Sequence, residues 1–312
     1  MRLKNLLWLF LLAALWGPSF VFIKIAVHEI PPLTMVLGRV GIAALILIII
    51  LKMQGRGLPK FGSIWFHFAV MGLVQNALPF TLFNWGEQYI DSALAAISNG
   101  ATPLFTILFA HIFVSDDRIT PGKMVGVLIG FGGLIVLIAP SLTGGLEATS
   151  WGLIAVVIAS ISYGVAMVYS RLNLRGLPPL IAPTAQLTVA TLYMIPLSLF
   201  LERPYTLPMP SLAAAGSLFV LAAFGTALAF VIYYRLIEQA NASFVSMVTY
   251  VIPVFGVFLG VVVLNETLTW NAYVGCALIL TGVMVVNGLF QLQPRRTDAP
   301  ISVQQSGTSS IK

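Results

Sequence analysis

Two cationic side chains stand inside long apolar stretches of this sequence. Arg39 lies within the run Leu33 to Leu51, and Lys24 lies near the end of the run Asn5 to Ala26. An Arg or Lys at the centre of a bilayer costs about 2.5 to 3.5 kcal/mol on insertion scales, so each of these residues needs a partner or a function. The guanidinium of Arg39 matches a carboxylate or phosphate bidentately, which favours an anion-binding role in a cavity. The alternative is an Arg that bonds to carbonyls of a neighbouring helix or reaches the interface, and we expect that snorkelling geometry for Lys24.

Acidic side chains fall at the ends of the apolar stretches, not inside them. One set of ends carries Glu87, Asp91, Glu147, Glu202 and Glu266, and the opposite set carries Asp116, Asp117 and Glu238. The sequence therefore predicts no midplane carboxylate for a coupling proton. A cationic centre without an anionic partner favours a negatively charged substrate, such as an amino acid, a related zwitterion or an organic anion.

Histidines and the single cysteine give no sign of metal or redox chemistry. His67 and His111 lie near helix ends, but neither has metal-ligand spacing, so we expect hydrogen-bonded structural histidines. Cys276 is the one cysteine of the chain, which excludes a disulfide framework. We predict no metal, no cofactor and no catalytic residue, because zinc-helix and nucleophile-elbow motifs are missing from the sequence.

Polar and aromatic residues inside the apolar stretches complete the predicted site. Amides and hydroxyls are costly against lipid, so they should point inward, although many such groups only bridge helices at about 0.6 kcal/mol each. Pro103 and Pro253 are predicted gating kinks, since a proline leaves helix carbonyls unbonded. The predicted substrate-binding residues are Trp16, Arg39, Asn76, Asn84, Asn99, Tyr163, Gln186, Tyr234, Thr249 and Tyr250.

The elements that carry these residues are predicted to be membrane-spanning helices. Of the 312 residues, 59% are hydrophobic and 8% are charged, whereas soluble domains carry about a quarter charged residues. A helix of about 20 apolar residues spans the hydrocarbon core. The predicted spans are Asn5 to Ala26, Leu33 to Leu51, Ile64 to Phe83, Ser92 to Phe113, Pro121 to Ala139, Trp151 to Tyr169, Ile181 to Phe200, Leu212 to Tyr233, Phe244 to Leu264 and Tyr273 to Phe290.

The distribution of positive charge predicts the topology. Thirteen of the 16 Lys and Arg residues fall in the terminal and loop segments of one side, Arg203 alone falls in a loop of the other side, and Lys24 and Arg39 lie in helices. By the positive-inside rule, both termini are cytoplasmic and the protein is a multi-pass protein of the inner membrane. The net charge of +6 forms no basic stripe for nucleic acid. Residues 292–312 are predicted to be a disordered cytoplasmic tail.

The two halves of the sequence match each other in order. At a spacing of 147 residues, Trp16-Gly17 matches Tyr163-Gly164, Lys24 matches Arg171, and Arg39 matches Gln186. Further along, the spacing shifts through small loop insertions. The later matches are Glu87-Gln88 with Glu238-Gln239, Pro103 to Phe105 with Pro253 to Phe255, Asp117 with Glu266, Gly126 with Gly275 and Gly133 with Gly282.

Duplication of an odd number of helices inverts the second copy in the membrane. We therefore predict an all-α membrane protein of ten transmembrane helices in two inverted five-helix repeats, residues 1–140 and 141–291. Inverted repeats give two related packings, one open to each side, with the substrate near the midplane, which is the basis of alternating access.

These residues also resemble a known family. Trp16-Gly17 followed by Lys24, the stretch from Pro31-Pro32 to Arg39, and the acidic residue that precedes Gly126 or Gly275 are similar to the EamA branch of the drug/metabolite transporter superfamily. The resemblance covers about residues 5 to 290. It implies ten helices, inner-membrane residence and, in many members, export of amino acids or related metabolites. The distantly related four-helix multidrug pumps place a glutamate in helix one, and this chain has none there, so exchange of cationic drugs for protons is not expected.

Four functions stay open from the sequence. An exporter of a small metabolite is favoured, an importer or a flippase of a phosphate-bearing lipid carrier is the alternative, and a duplicated scaffold without transport comes third. The expected partners are a small-molecule substrate and membrane lipid, without nucleic acid. Glycine pairs spaced four apart, Gly126 with Gly130 and Gly256 with Gly260, predict close packing within the chain, with homodimerisation as the alternative.

Overall fold

The protein is all-helical in the part of the chain that the structure, a computed structural model, describes: residues 3–114, 119–143, 147–239 and 247–288. Eight of its helices are long and apolar enough to cross a membrane. They are α1 (Lys4–Ala26), α2 (Pro32–Met53), α3 (Ile64–Gly86), α4 (Ser92–Phe113), α5 (Pro121–Leu142), α6 (Ala148–Asn173), α7 (Ile181–Glu202) and α8 (Leu212–Leu236).

Two shorter apolar helices follow, α9 (Val248–Leu264) and α10 (Trp270–Val286). Each has 17 residues, which at 1.5 Å per residue gives about 26 Å, a little less than a hydrocarbon core of about 30 Å. The predicted starting residue of the ninth span, Phe244, lies outside the described residues, as do Asp116, Asp117 and the tail.

Several helices depart from regular α geometry. In α1 the helix breaks at Gly17-Pro18, between the α-helical segments Leu3–Trp16 and Ser19–Ala26. In α3 and α8, six-residue π-helical segments occupy Gly72–Ala77 and Ala223–Leu228. These two segments are 151 residues apart, the same spacing that separates Glu87 from Glu238 in the sequence match. Such π-helical segments occur mostly at functional sites.

The two predicted gating prolines differ in their setting. Pro103 follows a break in α4, since one α-helical segment ends at Asn99 and the next begins at Thr102. Pro253 lies inside the continuous helix Val248–Leu264, and its role as a gating kink stays a prediction. The helix continues through Pro253, although proline has no N–H and one backbone hydrogen bond is therefore lost.

Helices α5 and α10 pack antiparallel through glycines. A Cβ atom at Gly126 would lie 2.7 Å from the carbonyl oxygen of Gly282, and one at Gly133 would lie 2.8 Å from that of Gly275. Only residues without a side chain permit this approach. Gly130 likewise packs on Leu104, and Gly256 on Ala96, so both predicted glycine pairs make contacts within the chain.

Hydrogen bonds between helix ends define one face of the bundle. Two of them join the end of α1 to the segment that follows α3. The others join the end of α7 to the start of α2, the segment after α9 to the start of α4, and the segment after α1 to the residue before α8. We call this the distal face, and we call the opposite face, where α1 begins, the N-terminal face. The largest apolar core contains residues of α1, α3, α4, α6, α8 and α9, so the two halves of the sequence interleave and do not form separate bodies.

Candidate substrate cavity

A cavity of about 440 Å³ lies between the helices of both halves. Its size falls within the range of about 300 to 1,000 Å³ that is typical of small-molecule sites. Its lining residues are Trp16, Ser19, Phe20, Ile23, Arg39, Met71, Gln75, Phe80, Phe83, Asn99, Thr102, Pro103, Thr106, Ile107, Tyr163, Ala166, Met167, Ser170, Gln186, Gly225, Thr226, Phe230, Tyr233, Tyr234, Val248, Thr249, Ile252 and Asn287.

The structure brings most of the sequence-predicted site residues to this cavity. The predicted residues that line it are Trp16, Arg39, Asn99, Pro103, Tyr163, Gln186, Tyr234 and Thr249. Asn76, Asn84, Tyr250 and Pro253 are not among its lining residues.

The polar residues outside the cavity bond within the helix bundle. Asn76 is fully buried and its amide donates to the carbonyl of Met71, while Asn84 donates to the carbonyl of Pro32. Tyr250 donates to the carbonyl of Val283. The prediction that these side chains point away from lipid agrees with their contacts, but the structure gives them interhelical or local partners and not the cavity.

Arg39 combines burial with unused hydrogen-bonding capacity. Its side chain is 7% exposed, Nε donates to Thr226 Oγ1 at 3.0 Å, and the guanidinium carbon lies 3.9 Å from the centre of the Phe80 ring. Among the described residues, the two terminal guanidinium nitrogens have no hydrogen-bond partner. Arg39 is therefore held in place by one bond and one cation–π contact while its bidentate edge remains available to an anion.

Residues that the predicted repeat matches with each other line the same cavity. Arg39 on α2 bonds to Thr226 in the π segment of α8. In the other half, Gln186 on α7 is matched to Arg39, and Gln75 in the π segment of α3 occupies the position matched to Thr226; both line the cavity. Gln75 and Thr226 were not among the predicted site residues. The spacing of 151 residues, which also separates Glu87 from Glu238, is the signal that could have indicated them.

The π segments supply backbone acceptors to the same region. Trp16 Nε1 donates to the carbonyl of Gly225 at 3.2 Å, and Ser162 Oγ donates to that of Val74 at 2.7 Å. Gly225 and Val74 are equivalent under the 151-residue spacing. The side chains on α1 and α6 thus bond to carbonyls that π geometry leaves accessible, and they fix the walls of the cavity.

Aromatic rings form most of the wall near Arg39. Trp16 lies 5.7 Å from Tyr233, Phe20 lies 5.6 Å from Phe83, and Phe83 stacks on Tyr163 at 5.9 Å. Within the described part of the chain, Arg39 is the one lining residue with a formal charge. The cavity thus suits a compact ligand with an anionic end and an apolar or aromatic body.

The lining residues extend toward the N-terminal face. Ser170 near the end of α6 and Val248 at the start of α9 line the cavity, and Asn287, which follows α10, is exposed to solvent and lines it too. Toward the distal face, the lining includes Ile23, Arg39 and Phe83. Among the described residues, the exposed Asn287 brings the lining to the solvent of the N-terminal face.

Three carboxylates close the distal face by capping helices of the other half. Glu202 accepts from the backbone N–H groups of Leu33 and Thr34 at 2.8 and 2.6 Å, at the start of α2. Glu266 accepts from Ser92 and Ala93 at 2.7 and 3.0 Å, at the start of α4.

The third carboxylate, Glu29, accepts from Ser211 before α8 at 2.6 Å, and this bond holds the pKa of Glu29 below its usual value. Helix N-termini attract anions because their first N–H groups are unbonded. We call the contacts of Glu29, Glu202 and Glu266 the distal lock.

Lys24 lies near the distal end of α1 and lines a surface pocket there; its snorkelling to the interface stays a prediction. Its ammonium donates to the carbonyls of Glu87 and Ile90, both at 2.7 Å. These carbonyls belong to the segment between α3 and α4, so Lys24 satisfies acceptors left open where α3 ends.

Both halves of the chain match the model of a known protein family. The model of the EamA-like transporter family matches twice, over residues 3–139 and 150–288. The chain belongs to the EamA-like transporter family. The resemblance expected from its sequence is thereby confirmed, and the protein is a multi-pass membrane transporter.

Relatives of this EamA-like transporter come from different organisms. The uncharacterized inner membrane transporter YedA of Escherichia coli (strain K12) is 30% identical, over 94% of each chain. The uncharacterized transporter YoaV of Bacillus subtilis (strain 168) is 25% identical, over 90% of this chain and 96% of its own. A crystal structure with 19% identity aligns with a TM-score of 0.66 over 94% of this chain and 100% of its own, which supports a shared fold.

Proposed function

We propose that this EamA-like transporter exports a small organic anion or zwitterion across the inner membrane by alternating access between two inverted five-helix repeats. The observation that carries the proposal is the cavity between the halves, in which Arg39 is the single charged lining residue of the described chain. An anion that enters this cavity meets two unbonded guanidinium nitrogens, whereas a cation meets no carboxylate there.

Inverted repeats are supported by contacts that exchange under the sequence match. Gly126 packs on Gly282 and Gly133 packs on Gly275, and the repeat matches Gly126 with Gly275 and Gly133 with Gly282. Each contact is therefore the image of the other, as a pseudo-twofold axis requires. The two separate family matches, one in each half, support the same duplication.

The opposite direction of matched helices supports inversion as well. Glu202, at the end of α7, bonds to the start of α2, and these two helices are equivalent in the two halves. Matched helices that run in opposite directions are what an inverted copy of five helices produces. Topology with cytoplasmic termini then follows from the positive charge of the loops on the N-terminal face.

The distal lock supports alternating access. All three carboxylates join one half to the other, and the cavity lies on the N-terminal side of them. These bonds must break before the cavity can open to the distal face. In alternating access, the N-terminal face then closes as the distal face opens. With cytoplasmic termini, the described state faces the cytoplasm.

The size and walls of the cavity favour a small solute with an apolar body over a lipid carrier. A volume of about 440 Å³ is enough for a metabolite, and the aromatic residues Trp16, Phe80, Phe83 and Tyr163 offer ring contacts beside Arg39. Binding then combines a bidentate ion pair with apolar burial.

Three probes that share a phenyl ring and differ in charge test the proposal. Purified protein in proteoliposomes is assayed for exchange of radiolabelled 3-phenylpropionate, phenylalanine and phenethylamine, which are an anion, a zwitterion and a cation. We expect the anion and the zwitterion to exchange and the cation to be excluded. Preference for phenethylamine would contradict the proposal.

Arg39→Gln is the matching variant. Loss of two charge-assisted bonds, each worth about 1.5 to 3 kcal/mol, removes about 3 to 6 kcal/mol and weakens anion binding roughly 100- to 10,000-fold. Arg39→Lys retains charge but not the planar fork, so its affinity falls between the two. Arg235→Gln is the control, because Arg235 is exposed and does not line the cavity. Equal loss in Arg235→Gln and Arg39→Gln would show that Arg39 has no specific role.

A further inference from the structure

Glu87 is a fully buried carboxyl group that the substrate cavity does not use. It follows α3 in the segment that leads to α4, and its exposed fraction is 0%. Within the described residues, neither carboxyl oxygen has a hydrogen-bond partner. An ionised carboxylate without partners is strongly disfavoured in such a place, whereas the neutral acid is tolerated. The sequence places Glu87 at a helix end, and only the structure shows that this end is enclosed.

The groups around Glu87 come from three packed elements. Lys24 on α1 is the nearest source of positive charge, but its ammonium bonds to the carbonyls of Glu87 and Ile90, not to the carboxyl. Glu266, between α9 and α10, directs its carboxylate to the start of α4. Arg39 on α2 acts on Glu87 from the side of the cavity.

These charges act on Glu87 in opposite directions. Burial is the largest effect and raises the pKa of Glu87 well above its usual value; Lys24 and Arg39 lower it, and Glu266 raises it. Asp91 lies four residues further on and also has a raised pKa, first through burial and then through Glu266. Glu87 is therefore a titrating group between a cavity cation and a charged distal surface.

A route from solvent leads to this region on the distal side. Lys24, His28, Asp91 and Glu266 line a surface pocket with neighbouring residues of the segment after α9. Glu87 does not line the pocket, but its backbone carbonyl binds the ammonium of Lys24, which does. Protons exchange through such polar pockets more readily than through apolar core.

We propose that Glu87 is a proton-binding site whose occupancy is coupled to that of the anion site at Arg39. The coupling rests on the proposed function and on the Arg39 charge. An empty Arg39 opposes protonation of Glu87, and an anion paired with Arg39 cancels that opposition. A proton on Glu87 and an anion on Arg39 therefore favour each other, and linkage makes the effect reciprocal.

Coupled binding at Glu87 and Arg39 favours transport of one proton together with one anion. A proton and an anion that bind together move in the same direction, so the direction of net flux follows the combined gradients of both. An anion that accumulates in the cell leaves with a proton, and a larger opposing proton gradient reverses the flux.

The proton site is tested first without any substrate. Infrared spectra of the purified full chain are recorded across a pH series, and a protonated, unbonded carboxylic acid gives a distinct carbonyl band. We expect such a band to persist above pH 4.5, the ordinary pKa of a glutamate, and to disappear in Glu87→Gln. In Arg39→Gln the band should persist to higher pH, because the cation that opposes protonation is gone. A band that is absent from the wild-type chain, or unchanged in Glu87→Gln, overturns the proposal.

The coupling is tested with 3-phenylpropionate as the anion. Its affinity for the wild-type chain should fall as pH rises through the titration of Glu87, by roughly tenfold or more. Glu87→Gln imitates the protonated acid and should bind the anion tightly across the series. The control Glu147→Gln removes an exposed carboxyl that lies before α6 and outside this region, and it should keep the wild-type profile.

The outcomes separate this proposal from the proposed function. If 3-phenylpropionate binds equally at all pH values to the wild-type chain, the coupling is refuted while the anion site stands. If neither the anion nor the zwitterion binds and the Glu87 band is present, the proposed substrate class fails, and with it the coupling, while the proton site stands. If Glu87→Gln does not fold, the Arg39→Gln variant provides the test. A carboxylic acid band that persists to higher pH in Arg39→Gln supports the proton site, and an unchanged band contradicts it.

Discussion

Substitution of Glu202 by Gln tests the distal lock most directly. The carboxylate of Glu202 accepts from the N–H of Leu33, the N–H of Thr34 and the hydroxyl of Thr34, at 2.8, 2.6 and 2.7 Å. An amide keeps one acceptor oxygen but turns a donor toward the second N–H, so one charge-assisted bond is lost and the other weakened. Such a bond is worth about 1.5 to 3 kcal/mol, and the favourable charge at the helix N-terminus about 0.3 to 1 kcal/mol.

Because Glu202 is half-buried, solvent reduces these values, and a net loss of about 2 kcal/mol is a reasonable expectation. At 1.4 kcal/mol per factor of ten, the closed form of the distal face loses stability relative to the open form by roughly 30-fold. The described state should then give up population to a state that is open on the distal side.

Spin labels on the distal face measure this shift without a substrate. Gln88 and Thr267 are exposed and belong to different halves; cysteines at both positions, in a Cys276→Ala background, report their separation by double electron–electron resonance. Glu202→Gln should add a longer distance that is rare in the wild-type chain.

The matched control is Glu147→Gln. Glu147 precedes α6, is exposed, and makes no side-chain cap bond, so its loss should leave the distance distribution unchanged. An unchanged distribution in Glu202→Gln, or an equal shift in Glu147→Gln, would refute the interpretation of these bonds as a lock.

Two further predictions concern packing and pH. Gly133→Ala should lower the free energy of unfolding by about 1 to 3 kcal/mol, because the added Cβ would lie 2.7 Å from the Cβ of Leu278. The control Gly132→Ala should be nearly neutral, since nothing lies within 4 Å of its Cβ position. Equal effects of the two variants in thermal unfolding would contradict the contact between α5 and α10. The raised pKa of Glu87 means that its stabilising contribution is full below its ordinary value of 4.5 and is lost as pH rises through the raised value. Thermal stability should therefore decline over that range in the wild-type chain and be flatter in Glu87→Gln.

Much of the architecture followed from local sequence. Hydropathy located the apolar helices because a bilayer demands about 20 apolar residues whatever their neighbours are. A charge in an apolar stretch marked Arg39 as exceptional because the cost of burying it does not depend on the details of packing. Matched positions such as Trp16 with Tyr163 and Arg39 with Gln186 also pointed to a shared surface, and all four line the cavity.

Distances between helices could not be obtained in this way. Lys24 was expected near the interface, but the sequence could not show that its ammonium bonds to two carbonyls at the end of another helix. Asn84 and Tyr250 were as polar and as deep as Asn99, but their side chains found partners away from the cavity. Rotation of each helix about its axis decides such outcomes, and that rotation is set by side-chain packing among all neighbours.

What the sequence determined by itself was the apolar helices and the family, because each depends on residues taken one segment at a time. Tertiary structure alone decided that Thr226 holds Arg39, that carboxylates of one half cap helices of the other, and that Glu87 is enclosed without a partner. These features depend on the free energy of groups from distant segments that share one low-dielectric space, and a linear pattern does not specify which groups share it.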